Sequence, residues 1–225
     1  MAEISVVIPV LDEQRVLGRL LESLRAMEPA PEVIVADGGS SDGTVAVARA
    51  FGARAVVSAR GRGPQMNAGA AASSGAVLLF LHADVTIGPT ALSALERALA
   101  GGGVVGGNFD IRYEGGWEAR LFSAINRRRC RMGVIYGDSG IFCRRDVFEK
   151  LGGYRDWPLL EDYEFARRLR RAGKLALLAE PVYVSGRRWR NGGLWKTLWA
   201  WFWVQALYYL GVSPRRLAAM YRDVR

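Results

Sequence analysis

The chain has 225 residues, half of them hydrophobic and 24% charged; this leaves room for one sizeable core but not two full domains, and it excludes a disordered chain. Its two cysteines, Cys130 and Cys143, form no CxxC pair or Cys/His cluster, which excludes a disulfide scaffold and a structural zinc site and suits a reducing cytosol. The net charge of +9 is uneven: residues 1–110 carry 8 Lys/Arg against 11 Asp/Glu, and residues 111–225 carry 23 against 11. A basic second half raises three partners, namely nucleic acid, an anionic membrane or a phosphorylated small molecule. Arg127–Arg129 with Arg131, and Arg187 and Arg188 with Arg190, are its densest clusters.

In chain order, Ile4–Pro9 is β-branched and apolar; it reads as a first strand, with no basic region before it to make a signal peptide. Gln14–Met27 has helical spacing at Val16, Leu20, Leu24 and Met27. Strand-like Glu32–Ala36 precedes a helix at Thr44–Phe51, strand Ala53–Ser58 a small-residue helix at Met66–Ala72, and the apolar run Ala76–Leu81 a helix at Thr90–Ala100. Such alternation predicts an α/β fold with a mostly parallel sheet flanked by helices, whose ligands sit beyond the carboxyl ends of the strands. Further on, Val104–Tyr113 reads as a long strand, Trp117–Arg129 as a basic helix and Ile141–Arg144 as a short strand. Glu161–Ala172 is a helix bounded by Pro158 and Gly173, and Leu175–Val184 is strand-like. Leu194–Leu210 is an aromatic-rich helix, and Pro214–Tyr221 a last short one. The expected organisation is one domain over 1–190, with a nucleotide-binding half at 1–110 and an acceptor half at 111–190, and a helical appendage at 191–225.

Three strand ends and one helix start collect chemistry. The second strand runs into Asp37-Gly38-Gly39-Ser40-Ser41-Asp42-Gly43-Thr44, where glycines admit a ligand to the backbone and carboxylates and hydroxyls can bond a base and ribose; a polar turn that caps the next helix is the competing reading. The first strand ends at another acidic turn, Asp12-Glu13. Neither a Walker loop nor a GxGxxG fingerprint is present. A site this acidic needs a cation before it accepts a diphosphate. The fourth strand leads into His82-Ala83-Asp84; Asp84 suits Mg2+ or Mn2+, with His82 as second ligand, ribose contact or a merely hydrogen-bonded strand end. Glu161-Asp162 opens a helix, where the dipole and free amides hold a carboxylate ionised and able to take a proton; plain N-terminal capping reads the same residues otherwise.

Five motifs in order, IPVLDE, DGGSSDGT, FLHAD, GIFCRRDVFEKLGGY and EDYEFARRL, resemble family 2 glycosyltransferases of GT-A fold over roughly residues 3–190. The nearest likeness is to short, non-processive bacterial members with FLHAD. The resemblance implies an inverting transfer of a sugar from a nucleotide-diphosphate donor to an acceptor hydroxyl. It implies that Pro9 and Glu13 line the nucleotide pocket and that Asp37 binds the base, with Gly38, Ser40, Asp42 and Asn67 in the same nucleotide-binding set. It further implies that Asp84 coordinates the metal, and that Asp162 is the general base with Glu161 beside it. The usual DxD stands here as His82-Ala83-Asp84, a departure that bears on metal use. Ser185–Trp189 resembles the QxxRW motif of processive relatives without its glutamine; by that likeness Arg188 binds the diphosphate and Trp189 stacks on the acceptor. Asp138, in Gly137–Gly140, and the pair Arg144-Arg145 border the acceptor side in this reading, or else form a structural turn.

The segment Leu194–Leu210 holds four of the seven tryptophans, interrupted by Lys196 and Gln205. Packing in the domain or a homo-oligomer interface is one expectation. Peripheral contact with an anionic membrane on its cytoplasmic face, suited to a lipid-linked acceptor, is the other. Two alternatives compete with sugar transfer. A sugar-1-phosphate nucleotidyltransferase would want a GxGxR loop that Pro9–Glu13 lacks, and a non-catalytic anion- or nucleic-acid-binding module would want a reading motif that the basic clusters lack. No nucleic acid partner is expected.

Overall fold

The computed structural model describes residues 3–184 and 194–222. Its strands are β1 (Ile4–Val10), β2 (Glu32–Asp37), β3 (Arg54–Val57), β4 (Val77–Phe80), β5 (Val85–Ile87), β6 (Val104–Tyr113), β7 (Ile141–Arg144) and β8 (Lys174–Val184). The helices are α1 (Gln14–Arg25), α2 (Thr44–Ala50), α3 (Arg62–Ala72), α4 (Ala91–Ala100), α5 (Trp117–Arg131), α6 (Arg145–Lys150), α7 (Glu161–Ala172), α8 (Leu194–Tyr209) and α9 (Pro214–Arg222). One eight-stranded sheet runs β3-β2-β1-β4-β7-β6-β8-β5. The first four strands are parallel, as is the β6–β8 pair; β7 is antiparallel to β4 and β6, and β5 to β8.

Strand β1 is buried along its whole length because helices cover both faces of the sheet. Successive side chains point to opposite faces. Val6, Ile8 and Val10 therefore join Leu17, Leu20 and Leu24 of α1 and Leu92, Leu95 and Leu99 of α4 on one face. Val7 meets Met66 and Ala70 of α3, Phe148 of α6 and Phe165 of α7 on the other. Each such side chain, fully buried, contributes about 1.5–3 kcal/mol. The C-terminal helices pack onto the domain: Leu217, Trp201, Val204 and Tyr208 meet Tyr136, Leu160 and Tyr163 in a third cluster. Among the described residues no helix is long and apolar enough to cross a membrane.

Three elements depart from the sequence reading. Helix α3 begins at Arg62 rather than Met66, because Pro64 stands in its first turn, where no amide is needed for the ladder. The short β5 and α6 were not expected. The pair Arg144-Arg145, expected near the acceptor, lies at the opposite end of the sheet. Since β7 is antiparallel to β4, Arg144 pairs with Val77 at the start of β4. Arg144 donates to the carbonyls of Val104 and Leu99, and Arg145 to those of Gly75 (2.6 Å) and Ala70 (3.0 Å). These arginines tie strand starts together.

Gly69 lets α3 lie close on β1, since a Cβ there would overlap Cγ1 of Val7. Gly69→Ala is expected to cost about 1–3 kcal/mol, measured by urea unfolding; an unchanged midpoint would show that the close approach is not needed.

Candidate active site

The carboxyl ends of β1 and β2 open into two turns that hold one another. Asp12, in left-handed backbone (φ 55°), accepts hydrogen bonds from the Ser41 amide (2.7 Å) and hydroxyl (3.1 Å). The Asp12 amide donates to Ser40 Oγ (2.9 Å), the Glu13 amide to Thr44 Oγ1 (2.8 Å) and the Gln14 amide to Asp42 (3.1 Å). Gln14 returns the contact by accepting from the Gly43 amide (3.0 Å). Beneath this clasp Gln65, buried on α3, donates to the carbonyls of Val10 (2.6 Å) and Ala36 (2.9 Å), where β1 and β2 end.

The acidic residues of the second turn build the clasp. Asp37 is 4% exposed and accepts from the Gly39 amide (3.1 Å) and from Ser40's amide and hydroxyl (2.5 Å). The Thr44 hydroxyl, then the amides of Thr44 and Gln14, hold Asp42 below the usual aspartate range. Gly38 sits against the Gln65 side chain. Asn67 is committed elsewhere: it donates to the Tyr154 carbonyl and accepts from the Tyr154 amide, both at 2.8 Å, tying α3 to the loop before α7.

An open cleft of about 720 Å³ lies over these strand ends, lined on one side by Pro9, Val10, Leu11, Glu13 and Gln65. Arg60 and Arg62 line a second side, and Trp157, Pro158, Leu159 and Ala218 a third. A smaller cavity of about 80 Å³ shares Arg62, Leu159 and Glu161 with the cleft, so the two are contiguous. Its other walls are His82, Tyr136, Asp138, Leu160, Asp162 and, from α8, Trp201, Val204 and Gln205.

Asp162 is the most constrained carboxylate in this cavity. Leu160, in left-handed backbone (φ 64°), turns the chain sharply into α7, and a single β-branchless side chain here bears the strain that glycine would avoid. Asp162 then accepts from the Gly137 amide (2.5 Å) and the Tyr163 amide (2.6 Å). Gly137 has no room for a side chain, because a Cβ would stand 2.8 Å from His82 Nε2 and 3.1 Å from Asp162 Oδ2. Burial raises the Asp162 pKa; the two amides and Arg62 oppose the rise, and nearby Asp138 adds to it. Desolvation is the largest of these influences and outweighs the amides of the helix start and of Gly137. Glu161, nearly fully buried, pairs with Arg62 at 3.9 Å.

His82 faces Gly137 and Asp162, and Asp84, half-buried, follows in the β4–β5 turn. Among the described residues no three His, Cys, Asp or Glu side chains converge to hold a metal. One carboxylate and one imidazole suit a cation that brings its own phosphate oxygens and water. Asp138 accepts from the Tyr113 hydroxyl (2.9 Å) and stands 3.9 Å from Arg129, whose guanidinium lies 4.1 Å from the Tyr136 ring centre. Tyr136 donates to Gln205 Oε1, while the Gln205 amide nitrogen is buried without a partner among the described residues. Burial pushes the Tyr136 phenol well up, so it stays protonated. Arg188 and Trp189 lie outside the described residues.

Arg60, Arg62, Gln65, Tyr136, Leu160 and Gln205 were not singled out from sequence for these positions. Arg60-Gly61-Arg62 is the only one of these with a local signal, a basic pair astride a glycine after a strand. The triple arginine is also not one basic patch: Arg127, although exposed, pairs with Asp110, and Arg129 turns inward under Tyr136.

Residues 5–152 match the family described as Glycosyl transferase family 2. Glycosyltransferase AglE of Haloferax volcanii is 29% identical over 168 residues, covering 67% of this chain and 55% of that protein, so the chain spans little more than half of that relative. A PGL/p-HBAD biosynthesis glycosyltransferase of Mycobacterium tuberculosis is 27% identical over 214 residues, covering 86% and 79%. Among solved structures, glucosyl-3-phosphoglycerate synthase from Mycobacterium tuberculosis, in complex with Mn2+, UDP and phosphoglyceric acid, is 23% identical with a TM-score of 0.59 over 80% of this chain and 69% of that one. TarS of S. aureus is 16% identical with a TM-score of 0.65, over 81% and 36%. The α/β sheet of this chain thus has the GT-A architecture, and the chain belongs to glycosyl transferase family 2.

Proposed function

We propose that this glycosyltransferase binds a nucleoside diphosphate sugar in the cleft over β1 and β2 and transfers the sugar, with inversion, to a hydroxyl in the small cavity beside Asp162. The observation that carries this reading is the buried, amide-clamped Asp162 in a cavity contiguous with the donor cleft. A carboxylate whose pKa is raised by burial is a stronger proton acceptor than one in water, and one amide on each oxygen fixes the orientation of the group. Inversion follows from a single displacement: the acceptor oxygen bonds to the anomeric carbon as the diphosphate leaves, and its proton passes to Asp162.

In this reading Pro9 and Glu13 line the nucleotide pocket, and Asp37, Ser40 and Asp42 act by holding the clasp that shapes it. Arg60 and Arg62 face the diphosphate. Asp84, with His82, would hold a Mg2+ or Mn2+ whose chemistry there is to neutralise the leaving diphosphate. Gln205, whose amide nitrogen has no partner among the described residues, and Asp138 recognise the acceptor, so α8 contributes to the acceptor wall. Trp201 and Val204 beside them give that wall an apolar surface suited to an amphiphilic acceptor.

Asp162→Asn is expected to lower kcat by about 10²–10⁴-fold while nucleotide binding persists. Its melting temperature should fall, and more at acid than at neutral pH. The asparagine oxygen accepts from only one of the two amides. A carboxyl whose folded pKa is raised gives its stability below the unfolded pKa and loses it as pH rises through the folded value, so the wild type's advantage shrinks toward pH 7. Unimpaired transfer by this variant would reject the base assignment. Separately, UDP with Mn2+ should raise the melting temperature of the wild type and not of Asp84→Ala; equal stabilisation of both proteins would remove Asp84 from the metal site. Gln205→Leu should raise the acceptor KM with donor KM unchanged, and an effect on donor KM alone would place Gln205 outside acceptor recognition.

A further inference from the structure

Helix α5 is amphipathic in an unusual sense. Its inner face, Ala119, Phe122, Asn126 and Cys130, is buried against the domain. Its opposite face carries Trp117, Leu121, Ile125 and, at the cap, Met132, at helical spacings of four and seven; they are 67%, 44%, 43% and 61% exposed. Arg120, Arg128 and Arg131 are exposed among them, and Glu118 is the helix's one acidic residue. Helix α8 repeats the arrangement. Trp201, Val204 and Gln205 line the cavity, while Trp199, Phe202 and Trp203 point outward at 58%, 60% and 53% exposure. Both helices pack on Tyr136, which lines the cavity: its ring receives Arg129 of α5 and meets Trp201 of α8 at 5.2 Å.

We propose that the outer faces of α5 and α8 dock on an anionic lipid bilayer, which delivers a bilayer-seated hydroxyl amphiphile to the cavity at Asp162. The second part rests on the acceptor site proposed above; the docking does not. The apolar stripe of α5, rimmed by arginine, and the exposed aromatic rings of α8 match the boundary between acyl chains and anionic headgroups, where tryptophan also partitions. A second copy of the chain fits less well, because a two-fold contact through α5 would set Arg120, Arg128 and Arg131 against the same three arginines.

The test is co-sedimentation of the full chain with vesicles of equal parts phosphatidylglycerol and phosphatidylcholine, against phosphatidylcholine alone. The wild type should pellet with the anionic vesicles, be released by high salt, and stay in solution with the neutral ones. Leu121→Glu/Ile125→Glu and Trp199→Glu/Trp203→Glu, at exposed positions, should each weaken binding at unchanged melting temperature. Removing Arg120, Arg128 and Arg131 as serines should weaken it about fivefold per arginine. Failure of the wild type to pellet, equal binding to neutral vesicles, or variants that bind as wild type would overturn the proposal. So would a wild-type dimer that Leu121→Glu/Ile125→Glu makes monomeric. Thermal stabilisation by UDP and Mn2+, run on the same samples, separates the two readings: its persistence without sedimentation overturns only the docking, and its loss with intact sedimentation overturns only the donor site.

Discussion

A buried carboxylate needs either a counter-charge or hydrogen bonds, and Asp162 is held mainly by the second. The Gly137 amide comes from the loop after α5, the Tyr163 amide from the first turn of α7, and the geometry depends on Leu160 accepting left-handed backbone. Amides aimed at a carboxylate from two segments contribute about 1.5–3 kcal/mol each, yet burial still raises the pKa. The group is thus placed firmly but left basic. Much of the second half serves this placement. The short turn Gly137–Ser139 brings the amide, α7 brings the carboxylate, and α8 closes the cavity over both.

The proposed donor side relies on a different device. Its strand ends are adjacent in the sheet, but adjacency does not fix the loops beyond them. The clasp between Asp12–Gln14 and Ser40–Thr44 does so with reciprocal side chain to backbone bonds, and Gln65 braces it from below. A rigid, acidic mouth results, with Arg60 and Arg62 opposite to receive negative charge. Glu161, next to Asp162 in the chain, pairs with Arg62 at the junction of cleft and cavity.

Much of this was legible in the sequence. Helix α7 begins and ends where Pro158 and Gly173 place it, and β1 to β4 are each a short apolar run between turns. The five ordered motifs pointed to the family and to the strand ends that meet at the site. Roles within the motifs were less legible. Ser40 and Asp42 accept from backbone amides 28 residues away, and no local pattern encodes that pairing. Gln65 and Gln205 belong to no motif, and only burial reveals their use. Arg144-Arg145 was misplaced for a definite reason: an antiparallel strand in a sheet read as mostly parallel reverses which end faces the ligand. The aromatic helix α8 divides its tryptophans between the cavity wall and the outer surface, a division that its sequence, apolar nearly all round, does not display.

The most direct test of a basic, clamped Asp162 needs neither the sugar nor the acceptor. In protein labelled with carboxyl-13C aspartate, the Asp162 side-chain resonance can be assigned by its absence from Asp162→Asn, then followed with pH. The account predicts that it titrates above the ordinary aspartate midpoint of about 3.9, higher than the exposed aspartates of the same sample. A midpoint at or below that value would contradict it, because the group would then be a stabilised anion with little call on an acceptor's proton.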